Sequence, residues 1–315
     1  MIVTVTLNPS LDEWVALDRL RFGEPNRARS TARYPGGKGI NVSRVVHELG
    51  GRTLAIALAG GDDGVILDHL LKRHRIPHRF VPVPGQTTRN NYQIQIRSPR
   101  ALLQINTPGP RVSRALLDRV QQAVRRARPA PRALVCSGSL PPGAPPETYR
   151  RYLSQPFPHT LLTVLDTSGE ALRLGIAARP WLIKPNRLEA EGLIGRRLPR
   201  RADLVEAIRH LVESRGPRVV VTSLGAEGAM LASAADPRIW WAQPPTVRVD
   251  SAVGAGDALV AGFVTGYLKT RSLQEALRLG VACGAASAMT PGTSLCRRRD
   301  VQRLRGRVRL RLLSA

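Results

Sequence analysis

Lysine is scarce in this 315-residue chain: of 48 lysines and arginines, four are lysines (Lys38, Lys72, Lys184 and Lys269). Acidic residues are also few, 23 in all, which leaves a formal charge of +25. Aromatics make up 4% of the chain and cysteines number three. Each shortage excludes something. Cys136, Cys283 and Cys296 are too scattered to staple a disulfide scaffold or to hold a zinc ion. A reducing cytoplasm is the expected home. Few aromatics lie beside the arginines, so platforms for stacking bases are lacking. No uncharged apolar run reaches the ~18–20 residues a membrane span needs. Residues 1–8 alternate like a strand and show no basic stretch before an apolar one, so no signal peptide is expected. The charge would suit a polyanion-binding protein. The arginines are dispersed, however, with modest clusters at 196–201 and 297–311, and read as a solvated surface reflecting composition bias. Neither a specific nucleic acid nor a membrane is an expected partner, and the basic balance favours anionic small substrates.

What the chain does have is alternation. Short, nearly continuous apolar runs at 2–7, 53–59, 133–136, 161–165, 181–183 and 219–222 read as strands covered on both faces. Between them, residues 40–49, 65–73, 113–127, 146–153, 202–213, 255–268 and 273–288 read as helices, the last opening near Ser272, a good N-cap. This pattern predicts an α/β fold with a mostly parallel sheet and helices on both faces. No repeat or linker marks a domain boundary, so one domain over residues 1–315 is expected. Two excursions, about 12–35 and 87–107, read as strands without helices between them. In the second, Asn91-Tyr92-Gln93-Ile94-Gln95-Ile96 alternates polar and apolar residues, the mark of a sheet with one wet face. Together they suggest a small β-lid over the carboxyl ends of the strands, where ligands of open α/β sheets bind.

Three motifs carry chemistry. In Asp250-Ser251-Ala252-Val253-Gly254-Ala255-Gly256-Asp257, two glycines run straight into an apolar helix. Gly254, Ala255 and Gly256 can bring backbone N–H groups to a ligand, and the helix start carries about +0.5 charge. The result is an anion hole suited to a phosphoryl group. Asp257, on the first turn, can take the proton of an attacking hydroxyl; equally, it can merely favour the helix dipole. No GK[ST] follows, so this is not a Walker loop. In Gly36-Gly37-Lys38-Gly39-Ile40-Asn41, a rare lysine sits among glycines, where a compact ammonium suits a binding demand or a solvated turn. In Lys184-Pro185-Asn186-Arg187-Leu188-Glu189, Asn186 and Glu189 share a helix face. They can hold waters of a hydrated Mg²⁺ or form a capping box, and the two are compatible. Asp12 and Ser137 close strands, Arg89 opens the second excursion and can pair with a phosphate, and Ser223, Gly225 and Gly228 form another strand-end loop.

Taken in order, these motifs, with Gly138-Ser139-Leu140-Pro141-Pro142-Gly143, resemble the ribokinase-like sugar kinases of the phosphofructokinase B family. The resemblance runs from Thr6-Leu7-Asn8-Pro9 to Pro291-Gly292-Thr293. It is nearest the branch of 1-phosphofructokinase, tagatose-6-phosphate kinase and the minor bacterial 6-phosphofructokinase. It implies a three-layer α/β/α sandwich with a β-lid, and an ATP- and Mg²⁺-dependent kinase of a ketohexose phosphate. It implies Asp257 as catalytic base and residues 254–256 as the hole for the transferring phosphoryl. Asn186 and Glu189 would organise Mg²⁺. Asp12, Gly36, Gly37 and Asn41 would hold the sugar; Lys38, Arg89 and Ser137 would meet its phosphate or nearby hydroxyls. Lys184, Ser223, Gly225 and Gly228 would line the nucleotide. Ser251, Val253, Ser287, Thr290, Gly292 and Ser294 fall where some members hold a monovalent cation such as K⁺. A homodimer through the lid is expected, because pairing two lids buries their edges.

Two departures bear on the substrate. Ala252 stands where threonine is common. Gln104 stands where the minor 6-phosphofructokinase has a second phosphate-binding arginine. Lys38 and the run from Gly109 to Ser113 resemble the 1-phosphofructokinase side, while the run from Asp166 to Leu172 resembles the 6-phosphofructokinase side. Two rival functions stay open: a kinase of an unphosphorylated sugar or nucleoside on the same fold, and a nucleic-acid-binding protein on this scaffold.

Overall fold

The computed structural model describes residues 1–158 and 160–314. Its strands are β1 (Ile2–Thr6), β2 (Ser10–Leu17), β3 (Ser30–Gly36), β4 (Thr53–Ala59), β5 (His78–Pro82), β6 (Arg89–Ile96), β7 (Ala101–Asn106), β8 (Ala133–Ser137), β9 (Leu162–Asp166), β10 (Leu182–Ile183), β11 (Val219–Ser223), β12 (Ala229–Ser233), β13 (Asp236–Gln243) and β14 (Arg309–Ser314). Its helices are α1 (Lys38–Glu48), α2 (Gly61–Arg73), α3 (Arg114–Arg125), α4 (Thr148–Leu153), α5 (Gly169–Gly175), α6 (Arg187–Ile194), α7 (Arg201–Arg215), α8 (Ala255–Thr270), α9 (Leu273–Ala288) and α10 (Arg298–Arg305).

Among the described residues the main sheet has ten strands in the order β14-β13-β12-β11-β10-β9-β8-β1-β4-β5. From β11 to β5 all neighbours are parallel; β12, β13 and β14 close one edge antiparallel. Both faces are covered, and the strands show why. Side chains alternate across a strand. Val3 and Val5 of β1, Leu134 and Cys136 of β8 and Val220 of β11 pack into one core with residues of α3, α4 and α7. Ile2, Ala133, Val135, Val219 and Val221 pack into the other with α1, α8, α9 and α10. Burial on both sides demands apolar residues at every position, hence the continuous runs.

Helices open where their local chemistry dictates. Ser272 caps α9, its hydroxyl accepting from Glu275 N at 3.2 Å. Helix α1 starts at Lys38, earlier than the apolar periodicity indicates, because Gly37 at φ 107° turns the chain there. Helix α2 likewise begins at Gly61, with Asp62 and Asp63 in its first turn favouring the helix dipole. Strands β12 to β14 carry no strong sequence signal: Ala229-Met230-Leu231-Ala232-Ser233 is rich in helix formers, and pairing with β11 and β13 overrides that preference. No helix among the described residues is long and apolar enough to cross a membrane.

A second, four-stranded sheet runs in the order β3-β2-β6-β7. Its central pair, β2 and β6, is parallel, with Asp12 opposite Asn91. The alternation in β6 has a reversed sense: polar Asn91 and Gln93 are buried, while Tyr92 is exposed. Tyr92 pairs with Ile105 and Ile94 with Leu103, so an apolar face points outward.

Candidate active site

The chain leaves β1 toward β4 and β5 on one side, and β8 to β11 lie on the other. At such a reversal the loops part and open a crevice at the carboxyl ends. The candidate residues converge there. Helix α8 enters from one side with Gly254 at its start, at φ 78°. A side chain at that position would sit 2.5 Å from Leu295 Cδ2, so glycine is required by both conformation and space. Among the described residues no side chain caps this helix end, and the first-turn N–H groups have no partners within the helix.

Asp257 lies on that first turn and is 5% exposed. Asn41 Nδ2 donates to its Oδ2 at 2.9 Å. Burial pushes its carboxyl up to about 6; Lys38 opposes the rise, Asp166 adds to it, and Asn41 and Lys184 oppose it. A carboxyl in that range can hold and release a proton near neutrality.

Asp166, at the end of β9, is fully buried. Lys38 Nζ approaches it at 3.3 Å and Lys184 Nζ at 3.4 Å. Ser137 Oγ donates to its other oxygen at 3.4 Å. Burial alone would raise this acid, but the two lysines pull it below the usual carboxylate range. In return Asp166 holds Lys38 firmly protonated against burial. One carboxylate thus gathers two ammonium groups, from α1 and from the loop after β10. A Cβ on Gly256 would lie 3.5 Å from Lys184 Nζ, which sets that ammonium over the turn into α8.

Asn186 and Glu189 form a capping box at the start of α6: Glu189 N donates to Asn186 Oδ1 at 2.9 Å, and Asn186 N donates to Glu189 Oε2 at 2.8 Å. The backbone bridges Asn186 to Ser223 at the end of β11. Gly225 and Gly228 shape the tight loop beyond, with Leu224 N donating to Gly228 O at 2.8 Å.

The second sheet supplies the remaining side chains. Asp12 is buried on β2 and accepts from Ser10 Oγ at 2.7 Å and Asn91 Nδ2 at 3.4 Å; burial raises its carboxyl. A Cβ on Gly36 would collide with the Asp12 carboxylate, so β3 can pass only as glycine there. Gly37 follows as the turn into α1. Arg89 donates to the backbone carbonyls of Asn8 at 3.0 Å, Thr107 at 3.1 Å and Pro9 at 3.4 Å. It edges an open groove lined by Asn8, Thr107, Ser139 and Thr167.

Beside the turn into α8 two loops are stitched together. Asp250 N and Ser251 N both donate to Ala288 O, at 2.8 and 3.3 Å. Val253 N donates to Ser251 Oγ at 3.3 Å, and Thr290 Oγ1 to Ser287 O at 2.8 Å. Gly292 turns the second loop at φ 57°, and Ser294 N donates to Pro291 O at 3.2 Å. Among the described residues, Ser287 Oγ is buried with no hydrogen-bond partner.

Sequence reasoning assigned no site role to Asp166, Asn91 or Arg44. A charged residue closing an apolar strand, as in Leu162-Thr163-Val164-Leu165-Asp166, was the available signal for the first. The other two are polar residues whose burial depends on distant partners.

A family model described as pfkB family carbohydrate kinase matches residues 6–299. ATP-dependent 6-phosphofructokinase isozyme 2 of Mycobacterium tuberculosis is 35% identical, over 96% of this chain and 88% of that protein. The 1-phosphofructokinase of Escherichia coli is 34% identical, over 98% of this chain and 97% of its own. The crystal structure of phosphofructokinase-2 from Escherichia coli in complex with substrates and products matches with a TM-score of 0.91 at 32% identity, covering 97% of this chain and 98% of that one. With likeness running almost end to end, the chain belongs to the pfkB family of carbohydrate kinases and is an ATP-dependent phosphotransferase acting on a sugar.

Proposed function

We propose that the chain transfers the γ-phosphoryl group of ATP to a hydroxyl of a ketohexose phosphate, giving a ketohexose bisphosphate. One observation carries the reading: a buried acid raised to about 6 sits on the first turn of an uncapped helix, within the field of Lys38 and Lys184. Asp257 accepts the proton of the acceptor hydroxyl as it attacks. The N–H groups of residues 254–256 and Lys184 meet charge spreading over the equatorial oxygens, so positioning and electrostatics carry the rate. Asp12, Asn41 and the backbone at Gly36 and Gly37 hold sugar hydroxyls. Lys38, Arg89 and Ser137 serve the substrate's own phosphate or nearby hydroxyls. Ser223, Gly225 and Gly228 line the nucleotide.

Family members use ATP with Mg²⁺. The donor set fits a hard cation: the capping box engages Glu189 Oε2 and leaves Oε1 free to hold a metal-bound water, with Asn186 beside it. When bound, Mg²⁺ neutralises phosphate charge. The phosphofructokinase-2 of Escherichia coli has been solved in complex with potassium. We extend K⁺ binding to this chain because the unpartnered Ser287 hydroxyl, with Ser251, Thr290 and Ser294 and the backbone of Val253 and Gly292, offers an all-oxygen set. The second sheet serves as a lid within a single domain over residues 1–315, and a reducing cytoplasm suits three free, buried thiols.

A neutral acceptor is the second reading, favoured by one observation: three Arg89 donors already serve backbone carbonyls. A coupled ADP-release assay with MgATP across fructose 1-phosphate, fructose 6-phosphate, tagatose 6-phosphate, fructose and ribose separates them. Preference for one phosphorylated ketose is the expected result. Turnover only with neutral sugars assigns the second reading, and no turnover from folded, ATP-binding protein overturns both.

A further inference from the structure

Arg44 is a charge buried in the floor of the site, and burying a cation is costly unless it is paired and hydrogen-bonded. It stands one turn beyond Asn41 on α1, and the two share a helix face. Its Nη1 donates to Pro35 O at 3.0 Å, at the end of β3, and to Asn41 Oδ1 at 3.0 Å. Asn41 Nδ2 then donates to Asp257 Oδ2 at 2.9 Å. The chemistry of this chain has a direction. A guanidinium only donates and an ionised carboxylate only accepts. An amide held between them can adopt one orientation, oxygen toward Arg44 and nitrogen toward Asp257.

We propose that Arg44 is a positioning residue for the phosphoryl transfer: by fixing the Asn41 amide it keeps Asp257 Oδ2 occupied and leaves Oδ1 to take the proton of the acceptor hydroxyl. This rests on the reading of Asp257 as the base. Without Arg44, Asn41 can flip, turn its oxygen toward the carboxylate and repel it. The same guanidinium ties β3 of the second sheet to α1 through Pro35, so the sugar-facing glycines and the base share one anchor.

The charges around the pair come from several elements. Asp257 faces Lys38 and Arg44 on α1, Asp166 at the end of β9 and Lys184 after β10. Arg44 also faces Asp12 on β2, Tyr34 on β3 and Cys296 before α10. Burial lowers its guanidinium to about 10, so it remains charged at neutral pH.

The experiment compares Arg44→Met, Arg44→Lys, Asn41→Ala and the Arg44→Met/Asn41→Ala double variant, with Asp257→Asn in parallel. Folding is checked by thermal melts. Arg44→Met is expected to cut kcat roughly 10- to 100-fold with KM for ATP unchanged, and to move the acid limb of kcat to higher pH, because a cation stabilising ionised Asp257 is gone. Both Arg44 bonds leave one nitrogen, so the Arg44→Lys ammonium can make them too; it is expected to recover most of kcat and to keep the acid limb. The double variant is expected to lose no more than Asn41→Ala alone, since one residue acts through the other. Additive losses, wild-type kcat in folded Arg44→Met, or no recovery in folded Arg44→Lys overturn the inference. If Asp257→Asn is inactive while the Arg44 variants behave as wild type, this inference fails alone. If Asp257→Asn retains full kcat, the reading beneath it fails.

Discussion

As the proposed base, Asp257 combines a catalytic demand with a cost to the fold. Its carboxyl, ordinarily near 3.8, rises to about 6 chiefly through burial. The folded state therefore binds this proton more tightly than the unfolded chain does. Its ionisation subtracts stability as pH rises from about 4 through 6, and the loss is complete at neutral pH. Asp257→Asn removes that penalty. The expected outcome is a higher Tm at pH 7.5 together with a kcat lower by about 10²–10⁴, the range for a general base. Thermal melts and steady-state rates on one preparation check both. The same titration predicts that wild-type kcat falls about tenfold per pH unit below about pH 6; a flat profile down to pH 5 would remove Asp257 as the base. Asp166 has the opposite sense. Lys184 and Lys38 hold it below the usual range, so its contribution to stability is present at neutral pH and is lost only in acid.

The helix end at α8 is the element on which the site depends. Its amphipathic signal is weak because α8 is buried nearly all round, yet Gly254-Ala255-Gly256 marks its start without ambiguity. Gly254→Ala would force a side chain into the left-handed region and against Leu295. Destabilisation of about 1–2 kcal/mol is expected in denaturant melts, with a fall in kcat as the N–H groups shift from the phosphoryl. A variant with unchanged stability and rate would show that the turn tolerates a Cβ. Elements with strong local chemistry, such as α9 behind Ser272, were legible from residues alone. Strand β5 and the edge strands β12 to β14 were not, because their pairing partners select them rather than their own propensity.

At the scale of the whole molecule the second sheet exposes apolar side chains where a solvated face would carry polar ones. Tyr92, Leu103 and Ile105 are 41%, 42% and 46% exposed on a shared face, while Asn91 and Gln93 turn inward. Such a patch marks an interaction surface. A second copy of the chain is the expected cover, because pairing two such faces takes their apolar side chains out of water. Light scattering is expected to give a dimer mass at assay concentration. Leu103→Asp combined with Ile105→Asp should shift it to monomer, since burying two charges against an apolar face is unfavourable. A monomeric wild type would contradict the dimer. The net charge of +25 adds repulsion between copies, so raising salt should strengthen their association.

Strands, helix starts and glycine turns are written in neighbouring residues, because alternation, capping and positive φ are local properties. Continuous apolar runs at β1, β4 and β8 therefore announced the covered sheet, and Gly254 and Gly256 announced the turn into α8. The charge network required the fold. Asn41 meets Asp257 across 216 positions and Lys38 meets Asp166 across 128. Whether a buried carboxylate is raised or lowered depends on which cations the packing delivers to it. That is why Asp166 is held ionised between two lysines, why Asp257 sits near 6, and why Arg44 ties the Pro35 backbone to Asn41, and through it to Asp257.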